Sequence, residues 1–232
     1  MDIMAAEPGT LVGDITQRLR EKITDCSLAP GQKLRFEQLR AEYGVSYGTL
    51  REALSILASE SLVTAESQRG FRVAPVSASN LVDITNVRVM VEREALRMSI
   101  ARGGDEWEDR LLIAFRRMER VEQRQGEEYT GTSEWMSAHG AFHETLLSAC
   151  GSPTLLAIQA NLFGLSHRYR RLSALIRHST AGKGKRSGEH KLLLDAATRR
   201  DADTACDALE RHIRQTSDDV MRGMTDNWPE GQ

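Results

Sequence analysis

The chain has only three cysteines, Cys26, Cys150 and Cys206, which are scattered, odd in number and without a CxxC pair. A zinc ribbon, a redox dithiol and a disulfide framework are therefore not expected, and buried free thiols are. No run approaches the roughly 18 apolar residues that cross a bilayer. The opening MDIMAAEPGTLVGD carries acids where a signal peptide carries basic residues. A cytoplasmic location with no membrane partner is the expectation. Positive charge is not in excess either, since 31 Lys and Arg against 33 Asp and Glu give a formal net charge of -2. The electrostatic footprint of a free-standing nucleic-acid binder is missing, so any reading of that kind has to rest on a motif.

What is present is ordinary globular composition: 232 residues, 40% hydrophobic and 28% charged, enough for a small and a medium domain. Apolar steps of three and four at Leu11, Val12, Ile15, Leu19 and Ile23 predict a helix over 11–27, stopped at Ala29-Pro30-Gly31. A short helix is expected over 36–43, ended by Gly44. Ser46 then sits where an N-cap would open a third helix over 47–60, whose buried face carries Leu50, Ala53, Leu54 and Leu57. Two β-prone runs, 62–65 and 71–74, flank a Gly-containing connector and read as a hairpin. That order is the order of a winged helix-turn-helix.

After Pro75 the pattern is wholly helical, with helices expected at about 79–102, 105–125, 131–150, 153–177, 185–200 and 201–222. The fold class is thus mainly α: a winged helix-turn-helix over 11–75, a linker over 76–79 and an all-α antiparallel bundle over 80–224, with tails at 1–10 and 225–232. The fourth bundle helix has the cleanest stripe, Leu155, Ile158, Leu162, Leu165, Tyr169, Leu172 and Ile176, and is expected to face the bundle core. Gly182-Lys183-Gly184-Lys185 reads as a basic loop.

A helix-turn-helix reads DNA through the first turn of its second helix, the only end that reaches base edges in the major groove. Here that turn is Ser46-Tyr47-Gly48-Thr49-Leu50-Arg51. Its hydroxyls and guanidinium can bond bases or phosphates; alternatively, Arg51 pairs with Glu52 or Glu42 on a solvated face. Gly48 costs such a helix up to about 1 kcal/mol relative to Ala.

The segments Leu34-Arg35 to Leu39, Tyr43-Gly44-Val45-Ser46, Leu50-Arg51-Glu52-Ala53-Leu54, Leu62-Val63 and Arg69-Gly70-Phe71-Arg72-Val73 resemble the N-terminal domain of the GntR family of bacterial transcription regulators. The resemblance implies double-stranded DNA as partner, read as a palindrome by a homodimer. It places Arg35, Ser46, Tyr47, Thr49 and Arg51 at the DNA and sends the wing at Arg69 and Gly70 into the minor groove. The chain departs from the family pattern after the serine, where Arg is common and Tyr47 stands here.

Among six histidines, His139 and His143 are four apart, so one helical face presents both. A divalent metal accepts imidazoles at that spacing, although surface or core histidines share it. His190 and His212 fall near the middle of the last two helices, where antiparallel packing can bring them opposite. The region also resembles the FCD sensing domain of the FadR subgroup, on Arg88 and Glu92, Ala141-Phe142-His143, Glu189-His190 and Arg211-His212-Ile213. That resemblance implies a divalent metal, zinc or nickel, held by three histidines and an Asp. The histidines match His143, His190 and His212, and the Asp position is His139. Four neutral imidazoles leave the cation's charge uncompensated, so the site should draw an anion more strongly than the usual one. A small carboxylate effector, a dicarboxylate above all, would then complete the coordination, clamped by Arg88 and by Arg168 or Arg170.

Two other readings compete with a regulator: a metal-dependent helical-bundle hydrolase, and a helical interaction module without ligand. Against the hydrolase, the only acid beside the histidine pair is Glu144, which a helical step points away from the metal.

Overall fold

The structure, a computed structural model, describes residues 9–66, 70–125, 132–176 and 187–224. Helix α1, Leu11–Thr24, is capped by Thr10, whose hydroxyl accepts from the Gly13 amide, and it buries Ile15, Leu19 and Ile23 at four-residue steps. It stops three residues before the expected end. Cys26 adopts a left-handed φ of 64°, and the Asp25 and Leu28 amides turn back onto Glu21 and Lys22 carbonyls, which closes the helix. Helix α2, Phe36–Tyr43, ends at Gly44, whose φ of 67° few other residues adopt without strain. Helix α3, Tyr47–Ser59, opens at Ser46, whose Oγ accepts from the Thr49 amide.

The hairpin forms as strands β2, Val63–Glu66, and β3, Gly70–Val73. Periodicity misses a third strand, β1, Lys33–Leu34, which pairs antiparallel with β3 and makes β3 central in a β1-β3-β2 sheet. Two residues are too few to show alternation. Leu19, Ile23, Leu50, Leu54, Leu57 and Val73 are fully buried together and form the core of this unit.

The six expected bundle helices are all present: α4 (Ala78–Arg102), α5 (Asp105–Gln125), α6 (Ser133–Leu147), α7 (Pro153–Ile176), α8 (Ser187–Thr198) and α9 (Ala202–Met224). A single 3-10 turn, Ser148–Cys150, takes the place of the expected last turn of α6. Helix α4 packs against α6, α7 and α9, while α5 lies on α6 and α8. Gly103 is required where α4 ends, because a Cβ there would collide with the ring of Trp107. That buried indole donates to the Thr145 carbonyl at 2.9 Å, tying α5 to α6. Leu96, Leu111, Phe142, Leu146, Leu193 and Leu209 are fully buried in the main core.

The expected α7 stripe faces the bundle core only in part, with Leu155 packed on the main core. Ile158 is 45% exposed, Leu165, Tyr169 and Leu172 pack on a second cluster with Val76, Leu81 and Val220, and the side chain of Ile176 lies outside the described residues. The buried face of α7 is instead largely polar, with Gln159, Ser166, Arg168 and Ser173 all buried. Of the cysteines, Cys150 and Cys206 are buried and Cys26 is half-buried, all three free. The basic loop at 182–185 lies outside the described residues. Among the described residues, no helix is long and apolar enough to cross a membrane.

Candidate functional site

The first turn of α3 stands clear of its own domain. Ser46, Tyr47, Gly48 and Arg51 reach the surface, and the apolar side of the helix is turned inward by Leu50, Leu54 and Leu57. The Ser46 hydroxyl lies 2.9 Å from that of Thr49, so cap and first turn form one polar surface. Tyr47 stacks on Phe36 at 4.2 Å between ring centroids, which holds the ring while the side chain stays exposed. Glu42, one candidate partner of Arg51, is bonded to Lys22 instead, and Arg51 forms no ion pair among the described residues. Arg35 is exposed at the N-cap of α2. Gly70 takes a φ of 94° at the base of the wing, and Arg69 lies outside the described residues. Arg72 is turned back into the fold by Glu66 at 2.7 Å and by the Gly31 carbonyl.

In the bundle, His139 and His143 of α6, His190 of α8 and His212 of α9 converge, each 4% exposed or less. Their six ring-centroid separations run from 4.5 to 5.7 Å. One ligand nitrogen from each lies within 4.8 Å of all the others. Nitrogens about 2.0–2.1 Å from a common zinc are at most about 4.2 Å apart, so the cluster is slightly wider than a loaded site. His139 Nε2 and both nitrogens of His143 are buried without a hydrogen-bond partner among the described residues. Such atoms cost free energy unless something satisfies them. The donor set fits a divalent metal.

Burial holds His139 and His143 well below the usual imidazole range, reinforced by Arg170 for His139 and by His212 for His143. Both rings are thus neutral near pH 7, the form that ligates. Glu189 Oε2 sits 2.8 Å from His212 Nδ1, which orients that ring and leaves Nε2 for the cluster. The sequence shows Glu189 beside His190 but assigns it no role. Replacing it, Glu189→Gln, is expected to weaken zinc binding about 10- to 100-fold in competition with a chromophoric chelator. An unchanged affinity would leave Glu189 with no part in the site.

Arg88 and Arg170 flank the histidines. Arg88 is buried, donates to Glu92 Oε1 and Ser166 Oγ at 2.8 Å each, and lies over Phe163 at 5.2 Å. Phe163 in turn lies 6.2 Å from the His143 ring. Arg170 Nη1 is 3.5 Å from His139 Nδ1 and its guanidinium lies over Trp135. Arg168, the alternative to Arg170 as an effector clamp, stands elsewhere and donates to the Pro75 carbonyl at 2.9 Å. Two residues along a helix are about 200° apart around the axis, so Arg168 and Arg170 point to opposite sides of α7. Gln159, Phe163 and Ser166 line the same side of α7 as Arg170, a grouping the sequence reading misses; their 4-3-4 spacing is a signal hidden by the apolar stripe. Glu144 does not join the cluster.

A winged helix with its reading turn exposed, followed by a helical bundle with a buried imidazole cluster, defines a two-domain DNA-binding regulator. The chain belongs to the GntR family: residues 11–73 match the gntR family of bacterial regulatory proteins and residues 83–215 match the FCD domain. It is 37% identical over 214 residues to an uncharacterized HTH-type transcriptional regulator, BphR, of Paraburkholderia xenovorans (strain LB400), across 92% of this chain and 86% of that one. It is 34% identical over 213 residues to the HTH-type transcriptional repressor GlaR of Escherichia coli (strain K12), across 90% and 95%. Among solved structures, E. coli McbR/YncC is similar with a TM-score of 0.76 at 17% identity, over 92% of this chain and 98% of that one. At that identity the likeness is one of fold. The chain is a transcription regulator and not an enzyme.

Proposed function

We propose that the protein is a homodimeric repressor that binds a palindromic operator and lets go of it when a small dicarboxylate binds beside a metal in the bundle. The observation that carries this reading is the buried four-histidine cluster flanked by two guanidinium groups. Arg35, Ser46, Tyr47, Thr49, Arg51 and the wing at Arg69 and Gly70 would meet the DNA. His139, His143, His190 and His212 would hold zinc or nickel, which supplies an uncompensated positive charge and open coordination positions when bound. Arg88 and Arg170 would clamp the far end of the ligand, and Phe163 and Trp135 would exclude water around it.

We read the segments Ile100 to Glu108, His139 to His143, Cys150-Gly151-Ser152 and Arg168-Tyr169-Arg170 as resembling the glutarate-responsive repressor CsiR, a resemblance that would make glutarate or a close relative the effector. Two copies would set their reading helices about one helical turn of DNA apart, and the effector would change that spacing.

A gel-shift titration of the zinc-loaded protein on its own promoter region tests the reading, with glutarate, succinate and a monocarboxylate as competitors. Glutarate is expected to weaken the complex about 5- to 150-fold. Equal retention of DNA with all three acids would sink the effector reading.

A further inference from the structure

Helix α7 touches both halves of the molecule, and its residues divide by face. Gln159, Phe163, Ser166 and Arg170, at steps of four, three and four, look toward Arg88 and the histidines. Leu165 lies between two cores, packing on the DNA-binding domain's cluster and on the cluster with Val76, Leu81 and Val220. The same stretch also holds the connection between domains. The Arg168 guanidinium donates to the Pro75 carbonyl, Arg171 Nε donates to the Asp25 carbonyl at 3.2 Å, and Cys26 Sγ donates to the Arg168 carbonyl at 3.6 Å. The Tyr169 hydroxyl accepts from the Ser77 amide at 3.2 Å and donates to Asn80 at 2.6 Å, gripping the cap of α4.

We infer that α7 is the lever of the regulator: its histidine-facing side senses the occupant of the histidine site, and its other faces, through Leu165, Arg168 and Arg171, carry the shift to the end of α1 and to the linker. The inference rests on the effector reading above. Its physical basis is that α7 moves as one body, so a displacement felt at Arg170 is felt half a turn away at Arg168. An anion seated between Arg88 and Arg170 competes with His139 for the Arg170 guanidinium, which approaches that ring no closer than 3.5 Å.

The junction is poised to respond. Arg168 is 2% exposed, yet its Nε and Nη1 have no hydrogen-bond partner among the described residues, and its one acceptor there is a neutral carbonyl. A buried cation so poorly compensated is costly to keep at the junction, so a rearrangement there has little favourable pairing to break.

The test uses the full-length, zinc-loaded protein and two variants whose side chains face away from the histidines, Leu165→Ala and Arg171→Ala. Glutarate affinity is measured by calorimetry, operator affinity with and without glutarate by fluorescence anisotropy, and backbone amide exchange over residues 22–34 and 72–80. The variants are expected to bind glutarate within about twofold of the parent, while the ratio of operator affinities, about 5- to 150-fold in the parent, falls toward one. In the parent, glutarate is expected to change exchange in both segments. A full ratio retained in both variants, or unaltered exchange in the parent with glutarate bound, overturns the lever. A parent that takes up no glutarate defeats the effector reading, and zinc alone is then the probe. A zinc-induced change in exchange over 22–34 supports the lever; its absence rejects it.

Discussion

Loading with zinc or nickel at about a hundredfold excess over its Kd is expected to raise the unfolding temperature by about 5 to 10 °C. Such an excess stabilises the folded state by about 2.7 kcal/mol, and a chain of this length gains about 2 to 4 °C per kcal/mol. The His143→Ala variant should lose nearly the whole shift, because His143 is buried within the cluster and presents two nitrogens without a partner among the described residues. Differential scanning fluorimetry with and without a chelator measures both. A metal-insensitive parent, or an undiminished shift in the variant, would show that the cluster is not the metal site.

The metal-free protein adds a second signature to the same experiment. His139 and His143 have folded pKa values pushed below the usual value of about 6.5 by burial. The folded state therefore refuses protons that the unfolded chain accepts, so this stability is fully present above about pH 6.5 and is lost as pH falls below it. His167, lowered to about 4 mainly by burial, acts in the same direction between about pH 6.5 and pH 4. The unfolding temperature of the metal-free protein should fall steadily from pH 7 to about pH 5, and less steeply in His143→Ala, where one refusing group is gone.

The second large effect is expected on the DNA. Arg51→Ala should weaken operator binding by about 1 to 3 kcal/mol, or roughly 5- to 150-fold, measured by anisotropy at fixed salt. The side chain is exposed and without an ion pair among the described residues, so the unfolding temperature should hardly move. Salt dependence tells which part of the DNA the guanidinium meets. If it bonds a phosphate, the substitution weakens all sequences alike and lowers the salt slope by about one; if it bonds a base, the preference for the operator over random DNA relaxes. Operator affinity unchanged by the substitution would remove Arg51 from the reading surface.

Much of this is legible in the residues themselves. Caps and breakers work locally, so Ser46, Gly44 and Gly103 mark their helix ends in the sequence, and the 3.6-residue period exposes six bundle helices. The misses have equally local causes. The left-handed turn at Cys26 ends α1 without a glycine to announce it, and β1 is too short to show a pattern.

By itself, then, the sequence determined the order of elements, the polar first turn of the reading helix and the four imidazoles placed on three helices. Only the tertiary structure decided what each face of α7 meets. Periodicity divides a helix into faces but carries no information about which neighbour covers which, and an apolar stripe looks the same whether it faces a core, a domain junction or solvent. That is why Arg168 and Arg170, two residues apart in the chain, belong to different sites: one holds Pro75 at the end of the DNA-binding domain and the other stands beside His139. The same packing gave Glu189 its place against His212, a pairing of residues 23 apart in the sequence that no local pattern can supply.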